Sequence, residues 1–437
     1  MQKTITSPAT QSGAPVWTKH DTVWMLGLYG TAIGAGTLFL PINAGVGGLW
    51  PLIVMAILAL PLTFFAHRGL TRFVLSGSKQ GADITEVVEE HFGHSAGKLI
   101  TLLYFFAIYP ILLVYSVAIT NTVLSFLNNQ LHISVGTGIG IRAVFSLVLI
   151  LGLMSIVRLG GKLIVKSMSI LVYPFVCALM VLALYLIPQW NGAAIEQAGS
   201  LSHAISSGAF YKTLWLAIPV MVFSFNHSPI ISSFAVDQRK LHGTDAEPAS
   251  SRALLRAHVM MVLSVLFFVF SCVFSLSPAD LAAAKAQNIS ILTYLANHFQ
   301  NPVIEWTAPI IAMVAISKSF LGHYLGAKEG FNGLVIKQLR QNGKTIATSK
   351  LDRFTAVFMI VTCWAVATFN PSILGMIETF GGPVIALLLF LMPMYAIKKI
   401  PAMKKYAGKP SNVFVVLIGL IAISAIFYNL LALYTPS

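Results

Sequence analysis

The stretch "YGTAIGAGTLFLP", residues 29–41, decides how this chain folds. It lies inside a long apolar run, where a membrane-crossing helix is expected, yet it holds Gly30, Gly34 and Gly36 close together. Glycine costs a helix interior roughly 1 kcal/mol relative to alanine. A segment in lipid must satisfy its own backbone hydrogen bonds, so a helix weakened here needs a reason.

The surrounding composition makes lipid the solvent to assume. Of 437 residues, 57% are hydrophobic and only 10% charged, with a mean hydropathy of +0.81. A water-soluble domain carries about 25% charged residues. Apolar runs long enough to cross a bilayer core recur along the chain. They give eleven expected spans: 22–44, 49–74, 99–127, 143–157, 163–187, 213–236, 259–276, 303–327, 356–369, 372–397 and 413–434.

A formal charge of +14 invites a nucleic-acid reading, but the placement of the charges argues against one. With a cytoplasmic N-terminus, Arg142, Lys212 and Lys285 fall outside and Lys318 falls within a span. Every other Lys and Arg lies in an inside loop or at an inner helix end. This alternation is the positive-inside pattern, so the basic balance reports orientation, with the C-terminus on the far side of the membrane. Cys177, Cys272 and Cys363 lie in apolar spans and are expected as free thiols. Residues 1–21 are polar and lack a signal-peptide core. The whole chain, 1–437, reads as a single membrane domain.

Two short polar segments break the apolar rhythm. "DITEVVEEHFG" (83–93) alternates acids and apolar residues at helical spacing and reads as a cytoplasmic surface helix. "SPADLAAAKAQNISILTYLANHF" (277–299) reads as one or two short helices capping the outer face, starting at Ser277-Pro278. Asp21, in "KHDTVW", is expected to cap the first span.

The sixth span matters as much as the first. "LWLAIPVMVFSFNHSPIISSFAV" (214–236) places Pro219 and Pro229 on either side of a polar "SFNHS". Proline removes a helical hydrogen bond and clashes one turn back. Interrupted helices in membranes line cavities or are buried in protein. The two interrupted spans are five apart, as the first members of two five-helix halves are, and such pairs mark transporter binding sites. In an unwound first span the amides of Ile33, Gly34, Ala35, Gly36 and Thr37 are expected to face a ligand. The following half-helix points its positive end at the same place, which suits a carboxylate. Carbonyls freed around Val222, Phe223, Ser224 and Phe225 suit an ammonium group. The plain alternative is packing, since Gly30 and Gly34 have small-xxx-small spacing.

"MLGLYGTAIGAGTLFLPINAGVGG", "LLYFFAIYPILLVYSVAITNT", "LWLAIPVMVFSFNHSPIISSFAV" and "SKSFLGHYLGAKEGFNG" closely resemble the L-serine permeases of the bacterial hydroxy and aromatic amino acid permease family. The resemblance covers nearly the whole chain, excluding about fifteen N-terminal residues and the loop at 240–251. It implies an all-α polytopic inner-membrane protein that symports an amino acid with protons and needs no cofactor. It implies eleven helices in a leucine-transporter-like five-plus-five inverted repeat plus one extra helix. The halves then span 22–187 and 211–397, and the extra helix 411–434. It implies breaks at Ile33, Gly34, Ala35 and Gly36 and at Ser224, Phe225, Asn226 and His227. Sodium-coupled relatives commonly carry small hydroxyl residues on the eighth helix where this chain has Lys318 beside Ser319, which argues against sodium.

Lys318 is the most informative single residue. A lysine at a membrane-helix centre costs about 2.5–3.5 kcal/mol, so it needs a partner and a purpose. Its ammonium is expected to occupy a cation position between the first and eighth helices. There it either loses its proton during the cycle or stays charged and holds carbonyls of the first helix. Glu378, in "GMIETFGGP", is an outer gate, a second proton site or a hydrated rim carboxylate. His323, one turn past Ser319, is a satisfied interior histidine in preference to a proton carrier. Asn226, His227 and Ser228 are placed to recognise a substrate hydroxyl. Tyr109, Tyr115 and Ser116 on the third span are expected to close the opposite wall.

There is no P-loop, no zinc-ligand spacing and no nucleophile–base set, which argues against an enzyme or an ATP-driven pump. The expected partners are L-serine, with L-threonine second, protons and lipid, and no nucleic acid. The rivals are a threonine or aromatic amino acid symporter and a sensor that binds an amino acid without moving it. No internal loop is long enough to be a signalling domain, which counts against the sensor.

Overall fold

A computed structural model describes residues 17–136, 138–157 and 161–434. Lys3 and Arg158, the N-terminal segment 1–16 and the side chains of Lys162 and Lys166 lie outside the described residues.

The first span is interrupted. Helix α1 (Lys19–Ala32) stops at Ile33, a tight turn covers Ala35–Leu38, and α2 (Leu40–Val46) resumes. The two parts are bent by 44°. The first half continues through α3 (Leu49–Leu75), α4 (Ile84–Phe92), α5 (His94–Asn129), α6 (Ile139–Val157) and α7 (Gly161–Tyr185). Here α4 is the surface helix expected at 83–93. Asp83 caps it, and Ile84, Val87 and Val88 are buried.

The sixth span is interrupted as well, into α8 (Gly208–Ser224) and α9 (Ser228–His242). Then come α10 (Ala246–Ser275), α11 (Pro278–Ala286) and α12 (Ile291–His298). The last two are the external cap helices, and Ser277 is the N-cap of α11. Next follow α13 (Pro302–Gln341), α14 (Thr348–Phe369), α15 (Ile373–Lys399) and α16 (Pro410–Tyr434). Helix α13 runs well past its expected end, to Gln341, through Gly330 and Gly333, which lie close against Phe105 and Thr101 of α5.

Among the described residues, nine helical segments are long and apolar enough to cross a membrane, and ten when the bent first pair is one span. One of these is a continuous stretch of 48 residues, Ser228–Ser275. At 1.5 Å per residue it would run about 72 Å, over twice a bilayer core, so α9 and α10 are separate crossings joined at Gly243–Asp245. The expected count of eleven then depends on taking α8 and α9 as one interrupted crossing.

The packing repeats itself. Helix α3 lies against α10, and α5 against α13, so the second and third helices of one half meet their counterparts in the other. Both parts of the first span pack on α10, as both parts of the sixth pack on α3. Surface helix α4 lies on α5 as α12 lies on α13. Helix α16 packs against α8, α15 and α3.

Asp21 takes part in capping α1, as expected, in a reciprocal box with Thr18. Thr18 is the N-cap, and Asp21 sits three residues in, accepting the Thr18 amide at 2.8 Å. Its other oxygen accepts from Gln238 at 3.0 Å and meets His242 at 2.9 Å. It therefore ties α1 to α9, a long-range contact that capping rules cannot supply.

Candidate functional site

The glycines of the opening stretch serve close approach. A Cβ on Gly30 would lie 2.1 Å from Val172 of α7, one on Gly34 2.9 Å from the Ser319 hydroxyl, and one on Gly36 3.1 Å from the Phe223 ring. Each faces a different neighbour, so the first break is the point where three other helices converge. The packing alternative explains Gly30, while Gly34 and Gly36 belong to the break.

The two breaks meet. The Ser224 hydroxyl donates to the Gly36 carbonyl at 3.1 Å. Of the five amides expected to face a ligand, three donate hydrogen bonds and a fourth, that of Gly36, faces a hydroxyl. Ile33 donates to Tyr29 in the last turn of α1, and Thr37 donates to Gly34. Ala35 donates to the Ser319 hydroxyl at 3.1 Å. The Tyr115 hydroxyl lies within hydrogen-bonding reach of the Gly36 amide and of Ser319. The Gly34 amide is left over. The sequence reading missed this because Ser319 and Tyr115 come from α13 and α5.

In the second break, the Asn226 side chain accepts the Ser228 amide at 3.0 Å, which starts α9. The His227 ring donates to the Phe225 carbonyl at 3.1 Å, and the His227 amide reaches His67 of α3 at 3.3 Å. The backbone carbonyls of Val222 and Ser224 receive none of these bonds. The site thus offers one open amide on the first break and two open carbonyls on the second. This is an acceptor–donor arrangement that matches a zwitterion.

Of the third-span candidates, only Tyr115 reaches the breaks, with its ring edge-on to Phe223 and His323. Tyr109 stacks on Phe358, and Ser116 donates to the Cys363 carbonyl at 3.2 Å. Both therefore face α14. They are seven residues apart, nearly two full turns, and so share a face that Tyr115 does not.

Lys318 lies between the first and eighth spans. It is 6% exposed, donates to the Gly30 carbonyl at 3.3 Å and sits over the Phe175 ring at 5.5 Å. An ammonium has three donors. One long bond and one ring face leave it poorly held. His323 donates from Nδ1 to the Ser319 carbonyl at 2.7 Å. Glu378 is 6% exposed and accepts from Asn43 of α2 at 3.2 Å. It is no hydrated rim carboxylate. It sits in a wide i→i+5 turn (Ile377–Gly381), a local distortion common at functional sites. Gly381 and Gly382 follow, pressed so tightly on α8 that a Cβ at Gly382 would meet the Pro219 carbonyl at 2.3 Å.

A vestibule of about 540 Å³ opens on the face that carries the basic loops. Trp24, Tyr104, Asp237 and Glu329 line it, and it reaches Pro229, just past the second break. On the opposite face α11 closes over α2, where a Cβ at Gly45 would meet Leu281 at 2.3 Å.

Sequence reasoning missed one cluster. His67, His227 and His258 converge although 160 and 31 residues separate them along the chain. Only His227 had drawn notice, for its place in the break.

Comparison with known proteins agrees with this architecture. Residues 22–434 match the tryptophan/tyrosine permease family. The chain is 70% identical over 431 residues to the serine transporter SdaC of Escherichia coli (strain K12), covering 98% of this chain and all of that protein. It is 49% identical to the threonine/serine transporter TdcC of Escherichia fergusonii, covering 94% and 96%. Among solved structures it resembles MhsT in complex with L-phenylalanine, with a TM-score of 0.56 at 15% identity, covering 96% of this chain and all of that one. It also resembles a manganese transporter of Eremococcus coleocola, with a TM-score of 0.63 at 13% identity, covering 98% and 91%. At such identities these two establish the fold alone, the leucine-transporter-like repeat that the contact pattern displays. The length and level of the sequence matches establish kinship: the chain is a multi-pass membrane protein and belongs to the tryptophan/tyrosine permease family.

Proposed function

We propose that this protein is a secondary transporter that carries L-serine with protons across the bacterial inner membrane by alternating access. The observation that carries the reading is the meeting of the two breaks. Ser224 bonds Gly36, and the Gly34 amide and the Val222 and Ser224 carbonyls remain open beside it. The relatives named for serine and for threonine and serine support the substrate class. The crowding of Gly36 by Phe223 and of Tyr115 by Phe223 and His323 leaves little width, which favours a small side chain over an aromatic one. Asn226, His227 and Ser228 are the residues assigned to the substrate hydroxyl.

For the coupling ion, Lys318 stands where a cation between the first and eighth spans would stand, with Ser319 already bonded to the first break. This supports protons in place of sodium. The positive-inside charge pattern puts the N-terminus and the vestibule in the cytoplasm, so the structure is inward-open in this reading. With eleven crossings the C-terminus is periplasmic, and the halves run 22–187 and 211–397.

The test is uptake of labelled L-serine into proteoliposomes under an imposed pH gradient with sodium absent. Accumulation that collapses with the gradient is expected, with competition by threonine well ahead of tyrosine and tryptophan. Accumulation that needs sodium, or binding without uptake, overturns the reading.

A further inference from the structure

We propose that His67, His227 and His258 form a binding site for a divalent transition-metal ion of the zinc class, whose occupation tethers the second break and halts movement there. One imidazole nitrogen of each lies within 4.8 Å of one from each of the others, and all three residues are buried. Every ring is oriented the same way. Each Nδ1 donates to a backbone carbonyl: His67 to Thr63 at 2.8 Å, His227 to Phe225 at 3.1 Å and His258 to Leu254 at 2.6 Å. A backbone carbonyl on one ring nitrogen fixes the tautomer and leaves the other nitrogen a lone-pair ligand, as in metal-bound histidines. The Nε2 atoms of His227 and His258 have no hydrogen-bond partner. The His67 Nε2 is lightly engaged, taking the His227 amide at 3.3 Å.

The rings of His67 and His227 are stacked, 3.6 Å apart and 3° from parallel, while His258 is tilted by 43° and 45° to them. Parallel rings cannot both aim at one ion. Binding therefore uses His227 and His258 as they stand and turns His67 out of the stack, at the expense of its long amide bond. Neutral imidazoles suit zinc, copper or nickel and do not suit magnesium or calcium. No carboxylate belongs to the cluster among the described residues, so the ion is held less tightly than in a charged structural site and acid displaces it. The ligands come from α3, the second break and α10, so one ion would bolt a hinge to two helices of the scaffold. The vestibule reaches Pro229, two residues along the chain from His227.

The experiment titrates purified full-length protein with Co²⁺, following its visible ligand-field absorption, and then with Zn²⁺ by equilibrium dialysis and metal analysis. Wild type is expected to bind one Zn²⁺ that His258→Phe and, separately, His67→Phe bind at least tenfold more weakly, unaffected by excess Mg²⁺. In proteoliposomes Zn²⁺ is expected to inhibit uptake reversibly in wild type and to lose its effect in the variants. Should His258→Phe fail to fold, the Co²⁺ spectrum of wild type and His258→Gln carry the test. No Co²⁺ absorption in wild type, or Zn²⁺ binding unchanged by both substitutions, overturns the site. The binding readouts need no transport, so they fail independently of the proposed function.

Discussion

The two breaks solve the same problem with different partners. The first is stitched up by side chains from distant helices: Ser319 takes the Ala35 amide, Tyr115 covers Gly36, and Lys318 holds the Gly30 carbonyl. The second is stitched up mainly locally, by Asn226 on the Ser228 amide and His227 on the Phe225 carbonyl, with His67 and the Ser224–Gly36 bond as its long-range contacts. Unwinding a helix in lipid exposes groups that cost several kcal/mol each if left alone. The first break therefore depends on the eighth and third spans staying in place. Under the proposed function, the coupling ion goes with the first break and the substrate hydroxyl with the second.

The largest test of that division is Lys318→Met. Gradient-driven accumulation is expected to fall at least about a hundredfold, about 2.7 kcal/mol, in proteoliposome uptake, while the protein still elutes as a folded species. A variant that accumulates serine with unchanged pH dependence breaks the comparison, because Lys318 would then be structural. Next comes Gly36→Ala, whose Cβ would lie 3.1 Å from the Phe223 ring and 3.3 Å from the Ser224 Cα. About a tenfold loss of uptake is expected, since that contact joins the breaks. Gly27→Ala, with nothing within 4 Å, is the matched control and should behave as wild type.

A finer test separates faces of the third span. Tyr115→Phe removes a hydroxyl worth about 0.5–1.5 kcal/mol and should raise the KM for serine severalfold. Tyr109→Phe and Ser116→Ala, which face α14, should leave KM unchanged. The reverse pattern would relocate the wall of the site. The smallest expected change is in Glu378→Gln, which keeps an acceptor for Asn43 and should alter uptake by about twofold at most. If that variant loses its response to the pH gradient, the proton role moves from Lys318 to the carboxylate near the outer face.

Much of this was legible in order along the chain. The interruptions at residues 33–36 and 225–227, the surface helix at 84–92 and the two external helices all follow from local composition, because glycine, proline and capping residues act on their own backbone. The site was legible only in part. Ile33 to Thr37 were read as a row of open amides, and the structure leaves one, at Gly34. Tyr109 and Ser116 were grouped with Tyr115, and helical phase separates them. Asp21 was read as a cap, which it is, but its second role in tying α1 to α9 was not legible.

The amino-acid sequence by itself determined the solvent, the orientation of charges, the position of both breaks and the presence of a lysine that lipid would not tolerate without a role. Each of these is set by the free energy of a residue in water, in lipid or in a helix, quantities that need no neighbour. Which amide stays open, which tyrosine faces the breaks and which three histidines meet were decided only by tertiary structure. A hydrogen bond is worth having at about 3 Å and nothing at 6 Å, and only the packing of distant helices fixes that distance.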